Sequence, residues 1–291
     1  MTILKPKAPA VPVPLLEAME RDLSRGTAAL PILPKGAREA LRLAKKADVD
    51  MNDVVEVIEG DPALTARLLA IANSAIYNRG FAMTSVRRAV VRLGLQATRD
   101  ILFQAVYAAV LYDVPGFKAR VEATFVHGVV TSRVARRVAQ IVGVDHDAAF
   151  LTGLLHDVGK GRLYKIANKL GRVDSEDVEV HEAVDQLHAR SSAELCRAWR
   201  LAPEIIEACA WHHEPKSSRL AQVVAAADVM SRRVEMTPRA TDEDVDAVLA
   251  LLKIEPDFRD ALLTYAADAT VYAGEPASVP TSGMPPSEEG G

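Results

Sequence analysis

The chain has 291 residues, with 35 Lys and Arg against 39 Asp and Glu, a formal net charge of -4; this length admits one large or two ordinary domains, and this balance excludes a global basic footprint for nucleic acid or an anionic membrane. Hydrophobic residues at 49% supply a sizeable core and exclude wholesale disorder, while aromatic residues at 5% argue against base-stacking platforms. Two cysteines, Cys196 and Cys209, are too few for a disulfide framework or a four-cysteine zinc site and suit a reduced cytoplasm.

In chain order, residues 1–14 hold Lys5, Lys7 and several prolines and read as an extended, disordered arm. Asp61-Pro62 supplies an N-cap with proline at the first helical position, and Leu64, Leu68, Ile71, Ala72 and Ala75 follow at helical spacing. A second unit runs from Ser85 to Leu93 and stops at Gly94, and an alanine-rich helix occupies about 95–112. Pro115-Gly116 is the strongest internal boundary. Val130, Val134 and Val138 form one stripe of a helix over about 119–142, closed by Gly143. The stretch from Asp147 to Asp157 is apolar on nearly every face, which predicts a short central helix. Further helices are expected over about 176–199, 202–213, 218–234, 241–253 and 256–271, with Thr241 and Asp244 forming a capping box. Residues 274–291 read as a solvated tail. The expectation is an all-α, compact multi-helix bundle in two halves, 15–118 and 119–273. The longest apolar runs, such as Ala221 to Met230, fall short of the roughly 18–20 residues that cross a membrane.

The chemistry concentrates in Leu154-Leu155-His156-Asp157-Val158-Gly159-Lys160. Burying an unpaired carboxylate costs several kcal/mol, so Asp157 requires a metal, a lysine or capping amides. Adjacent His-Asp on one turn can offer a nitrogen and an oxygen to one divalent ion, and Lys160 can reach a phosphate. His127 shares the Val130, Val134 and Val138 stripe and therefore faces inward. His212-His213 ends a helix containing Ile205, Ile206 and Cys209, Asp228 stands alone in an apolar run, and His188 precedes Cys196 and Trp199. Singly, each has an ordinary role: a hydrogen-bonded core histidine, or an aspartate capping a helix. Together they compose a mixed N/O set for one or two first-row metals. His146 and His181 read as loop or surface residues, and the cysteines as small core residues.

The same residues carry a resemblance to the HDOD family, a branch of the HD-domain superfamily related to the HD-GYP phosphodiesterases. It spans roughly residues 26–235. It rests on Leu30-Pro31-Ile32-Leu33-Pro34, on Asp61 to Leu69 with Ala72-Asn73-Ser74-Ala75, on Ser85 to Ala89 with Arg92-Leu93-Gly94, on Phe150 to Lys160, on His188 followed by Trp199, Leu201 and Pro203, and on His212-His213-Glu214-Pro215. The resemblance implies a helical bundle with an HD-like second half, and a bacterial signal-transduction or regulatory role exercised by binding a signalling protein or a small ligand such as a nucleotide. His127, His156, Asp157, His188, His212, His213 and Asp228 fall in the superfamily's ligand order. The implied cofactor is a divalent metal (Mn, Fe, Ni, Mg or Zn), held in a vestigial or structural site. The alternative is a metal-dependent phosphohydrolase in which Lys160 is catalytic. Two departures count against cyclic-dinucleotide hydrolysis. The chain continues after Glu214 as Pro215-Lys216-Ser217-Ser218 rather than with a Gly-Tyr-Pro loop, and Ala123 stands where tri-metal relatives place a glutamate. The charge and the scarce aromatics argue against a nucleic-acid reader.

Overall fold

The computed structural model describes residues 13–25, 49–74, 82–111, 114–215, 218–235 and 240–273, with isolated residues in the early gaps. The expected arm up to residue 12, the Leu30–Pro34 segment and the expected tail from 274 lie outside the described residues. Every regular element among the described residues is helical. They are α1 (Val13–Arg25), α2 (Met51–Glu59), α3 (Pro62–Ala72), α4 (Val86–Leu93), α5 (Leu95–Leu111), α6 (Lys118–Val142), α7 (His146–Leu155), α8 (Gly159–Lys169), α9 (Val178–Ala198), α10 (Pro203–Trp211), α11 (Arg219–Val234), α12 (Asp242–Leu252) and α13 (Arg259–Ala273), with a 3₁₀ turn at Pro256–Phe258.

Local chemistry explains most of the boundaries. Asp50, Asp145, Asp177 and Ser218 accept backbone N–H bonds at the starts of α2, α7, α9 and α11. The Thr241–Asp244 capping box opens α12. Gly143 closes α6 in a left-handed conformation. Three helices lie outside the sequence expectation. Val13 and Pro14, assigned to the arm, begin α1; α2 and α8 are not anticipated, although Met51, Val54, Val55 and Ile58 in α2 and Leu163, Ile166 and Ala167 in α8 fall at helical spacing.

The core is organised on α6, the longest helix, which packs against α7, α11 and α13. Its stripe of Val130, Val134 and Val138 is fully buried. The α7 run from Ala149 to Leu155 is buried on every face, as its composition predicts for a central helix. Gly153 lets α6 and α7 cross closely, because a Cβ there would lie 2.9 Å from Ser132 Cα and 3.0 Å from the Thr131 carbonyl. This crossing brings His127 of α6 beside the C-terminal end of α7. Helices α2 to α5 pack among themselves, and α5 leans on α6 and α7. Helix α1 packs instead on α8 and α9, fastened by Lys169 to Asp22 (2.9 Å), by Arg162 donating to the Leu23 carbonyl (3.2 Å) and by Arg190 donating to Ser24 (3.0 Å).

Candidate metal centre

Six helices converge on one buried point. His127 comes from α6, His156 and Asp157 from the turn after α7, Lys160 from the first turn of α8, His188 from α9, His212 and His213 from the end of α10, and Asp228 from α11. All seven ligand candidates read from the sequence meet there, with Lys160. His156, Asp157, His188, His212 and Asp228 are each 3% exposed or less. Gly159 makes the α8–α9 approach feasible, since a Cβ would fall 2.5 Å from the Ser192 amide nitrogen and 2.6 Å from the His188 carbonyl.

Three imidazoles are aimed by their own helices. His156 Nδ1 donates to the Gly153 carbonyl (2.8 Å), His212 Nδ1 to the Cys209 carbonyl (2.8 Å) and His188 Nδ1 to the Val184 carbonyl (3.2 Å). These bonds put the proton on Nδ1 and leave Nε2 as a bare lone pair in each neutral ring. The lone pairs then face one another and a carboxylate. His188 Nε2 lies 3.3 Å from His212 Nε2, 2.8 Å from His213 Nε2 and 3.3 Å from Asp157 Oδ1. His156 Nε2 and Asp157 Oδ1 are buried with no hydrogen-bond partner among the described residues. Burial holds all four of these rings toward the neutral form, His212 down to about 3. Buried acceptors converging without a proton between them are costly unless a cation sits among them. Backbone-anchored Nδ1 groups are also how protein scaffolds orient metal-binding histidines. Imidazole and carboxylate donors in this mixture suit a first-row divalent ion, so the residues present fit one.

The opposite side of the cluster is wired differently. His127 points Nε2 at Asp228 Oδ1 (3.1 Å) and Nδ1 at Glu235 Oε2 (2.9 Å). Burial opposes its charge, but the bonds to Asp228 and Glu235 outweigh that and raise its pKa to about 10. Arg232 forks onto Asp228, Nε and Nη2 each 2.9 Å from a carboxylate oxygen. Asp157 is held by Lys160, whose Nζ donates to Oδ2 at 2.5 Å. Burial would raise the pKa of both aspartates, yet Lys160 and Arg232 keep them well below the usual carboxylate range.

Among the described residues, three ligand trios lie with their donor atoms within 4.8 Å: His188–His212–His213, His156–Asp157–His212 and His127–His156–Asp228. His146 and His181 stay outside these trios; His146 sits beside Asp147 on the surface and His181 bonds the Ser175 carbonyl (2.7 Å). The two cysteine thiols are fully buried, 3.8 Å apart. Sequence reasoning missed Arg232 and Glu235. The signal was present for Arg232, because position i+4 from Asp228 on one helix face is the ion-pairing position.

The sequence profile of the HDOD domain matches residues 30–215. A Shewanella amazonensis protein provisionally named a metal-dependent phosphohydrolase superposes with a TM-score of 0.69 at 20% identity, over 89% of this chain and 98% of that one. A Marinobacter aquaeolei protein provisionally named a signal transduction protein gives a TM-score of 0.70 at 20% identity, over 91% of this chain and 67% of that one. These structural likenesses establish the fold. In sequence, an uncharacterised Treponema pallidum protein is 25% identical over 195 residues, 63% of this chain and 37% of that protein. Ribonuclease Y of Mycoplasma mycoides is 29% identical over 143 residues, 48% of this chain and 30% of that enzyme. The chain thus spans well under half the length of these two curated relatives.

Proposed function

Because this chain belongs to the HDOD domain family, we propose that it is a bacterial, cytoplasmic regulatory module that holds a divalent metal in its His/Asp centre and acts by binding a signalling protein or a small ligand such as a nucleotide. No described helix is long and apolar enough to cross a membrane. The observation that carries the reading is the set of Nε2 lone pairs of His156, His188 and His212, converging with Asp157 Oδ1 in a space where no proton separates them. His188, His212, His213, His156 and Asp157 would hold the ion. Once bound, such an ion supplies positive charge to these acceptors and acidifies any water it carries. The chain's own part is structural: α7, α8, α9 and α10 are drawn to one point, so metal loading is transmitted to the helix surfaces a partner would touch.

The regulatory reading is supported by the sequence after His213, which runs Glu214-Pro215-Lys216-Ser217-Ser218 without a Gly-Tyr-Pro loop. Metal-dependent phosphohydrolysis is the second reading. It is favoured by Lys160, an ammonium at the rim beside Asp157 that would neutralise charge developing on phosphate oxygens. The names carried by the Shewanella relative and by ribonuclease Y support it in the same way. Assaying a generic aryl phosphodiester with Mn, Fe, Ni, Mg and Zn in turn separates the two. The regulatory reading expects bound metal, a metal-dependent rise in melting temperature and no turnover above the free-metal background. Hydrolysis that needs metal and disappears in Asp157→Asn would overturn it.

A further inference from the structure

His156, His188 and His212 are each held at Nδ1 by a backbone carbonyl three or four residues earlier. His127 is held differently. Its Nδ1 turns to Glu235 Oε2 at 2.9 Å, a carboxylate supplied by the residue that caps the end of α11. Its Nε2 lies 3.1 Å from Asp228 Oδ1, seven residues earlier on the same helix. Positions seven apart share one helix face, so α11 meets the ring at both nitrogens. The Nε2 atom also belongs, with His156 and Asp228, to a trio whose donor atoms lie within 4.8 Å of one another. The bonds from Arg232 leave Asp228 in that trio, because each carboxylate oxygen keeps a further lone pair. A divalent ion takes the place of the Nε2 proton whenever a histidine becomes its ligand.

We propose that Glu235 is the positioning residue of His127, accepting its Nδ1–H so that Nε2 is presented as a metal ligand beside His156 and Asp228. The His127 and Glu235 side chains are 11% and 15% exposed, so water competes little for the bond between them. The other Glu235 oxygen, Oε1, is buried with no hydrogen-bond partner among the described residues, so no second donor draws the carboxylate away from the ring. A carboxylate on the far nitrogen of a ligating histidine fixes the tautomer and the ring orientation, and makes the near nitrogen a stronger donor. Glu235 thus does for His127 what the carbonyls of Gly153, Val184 and Cys209 do for the other three rings, and adds a negative charge that they lack.

This inference rests on the metal-holding reading above. It is tested on the full chain, cleared of metal by chelator, through calorimetric titration with Mn²⁺ and histidine side-chain NMR of the Zn²⁺-loaded protein. Glu235→Leu is expected to bind Mn²⁺ about 10–100-fold more weakly than wild type. Glu235→Gln, which still accepts the Nδ1–H, should lose less. In a His127→Gln background Glu235→Leu should weaken binding no further, because it acts through that ring. In the Zn²⁺-loaded wild type, His127 should carry its proton on Nδ1. Wild-type affinity in Glu235→Leu, a further fall of the same size in the His127→Gln background, or a Zn²⁺-loaded wild type with His127 protonated on Nε2 would each overturn the proposal. The tautomer is read on the wild type, so a variant that fails to fold does not shield the proposal. No saturable binding by the wild type would refute the metal-holding reading and this inference with it, whereas saturable binding indifferent to Glu235 would refute this inference alone.

Discussion

Asp157 is 3% exposed and leans on a single ammonium from the next helical turn. Removing that ammonium leaves a buried charge facing lone pairs, so Lys160→Met in metal-free protein should lose about 3 kcal/mol of stability by urea denaturation. Adding divalent metal should restore much of the loss, because the ion would supply the missing charge; a variant equally unstable with and without metal would contradict this. The histidines set the pH response. His127 is held near 10 against an ordinary value of 6.5, so its stabilising protonation is complete below 6.5 and is lost as pH rises toward 10. His212 is held near 3, and His156, His188 and His213 are also lowered, so stability is lost as pH falls from 6.5 toward 3. Asp157 and Asp228, held low, steepen the acid side. Chelator-treated protein should therefore melt highest near pH 6.5. His127→Gln should flatten the alkaline limb, and an unchanged limb in that variant would refute the assignment. At this scale the members of the buried cluster were legible, because His and Asp are rare inside apolar helices. Arg232 and Glu235 were not, because charged residues near the end of an amphipathic helix ordinarily face water.

Helices announce themselves when one face is apolar at regular spacing. The valine stripe of α6 does so, and its observed span differs from expectation by one residue at the start. Helix α8 also spaces Leu163, Ile166 and Ala167 helically, but its start is masked because it opens on Gly159-Lys160-Gly161 and buries Arg162, which pairs with Glu194 (2.9 Å) and the Leu23 carbonyl. A buried arginine reads as a polar interruption until its partners from α9 and α1 are known. The glycine at the start of α8 has a use the periodicity cannot express. In Gly159→Ala, a methyl group would press on the α9 backbone, and overpacking of this kind costs about 1–3 kcal/mol or more. Since α9 carries His188, metal affinity should fall with stability. A variant that melts lower yet binds metal as tightly as wild type would uncouple α9 from the site.

Across the whole molecule, α2 to α5 pack among themselves, whereas α1 packs on α8 and α9. Leu15, Met19 and Leu23 bury against α8 and α9, more than a hundred residues away in sequence, and short amphipathic segments carry no address for such a partner. Met19→Ala should cost about 2–5 kcal/mol in global stability, measured by chemical denaturation, because Met19 is wholly buried. A loss under 1 kcal/mol, well below that usual range, would mean that α1 docks loosely. The same long-range assembly builds the metal centre, whose donors come from segments spread between residues 127 and 228. Binding there should stabilise the whole fold, by about 2.7 kcal/mol at a hundredfold excess over the dissociation constant. The most direct test is calorimetric titration of Mn²⁺ into chelator-treated wild type and into His212→Asn. A saturable binding isotherm in the wild type, abolished in the variant, is the predicted result. No saturable binding in the wild type, or binding unchanged in His212→Asn, would contradict the account.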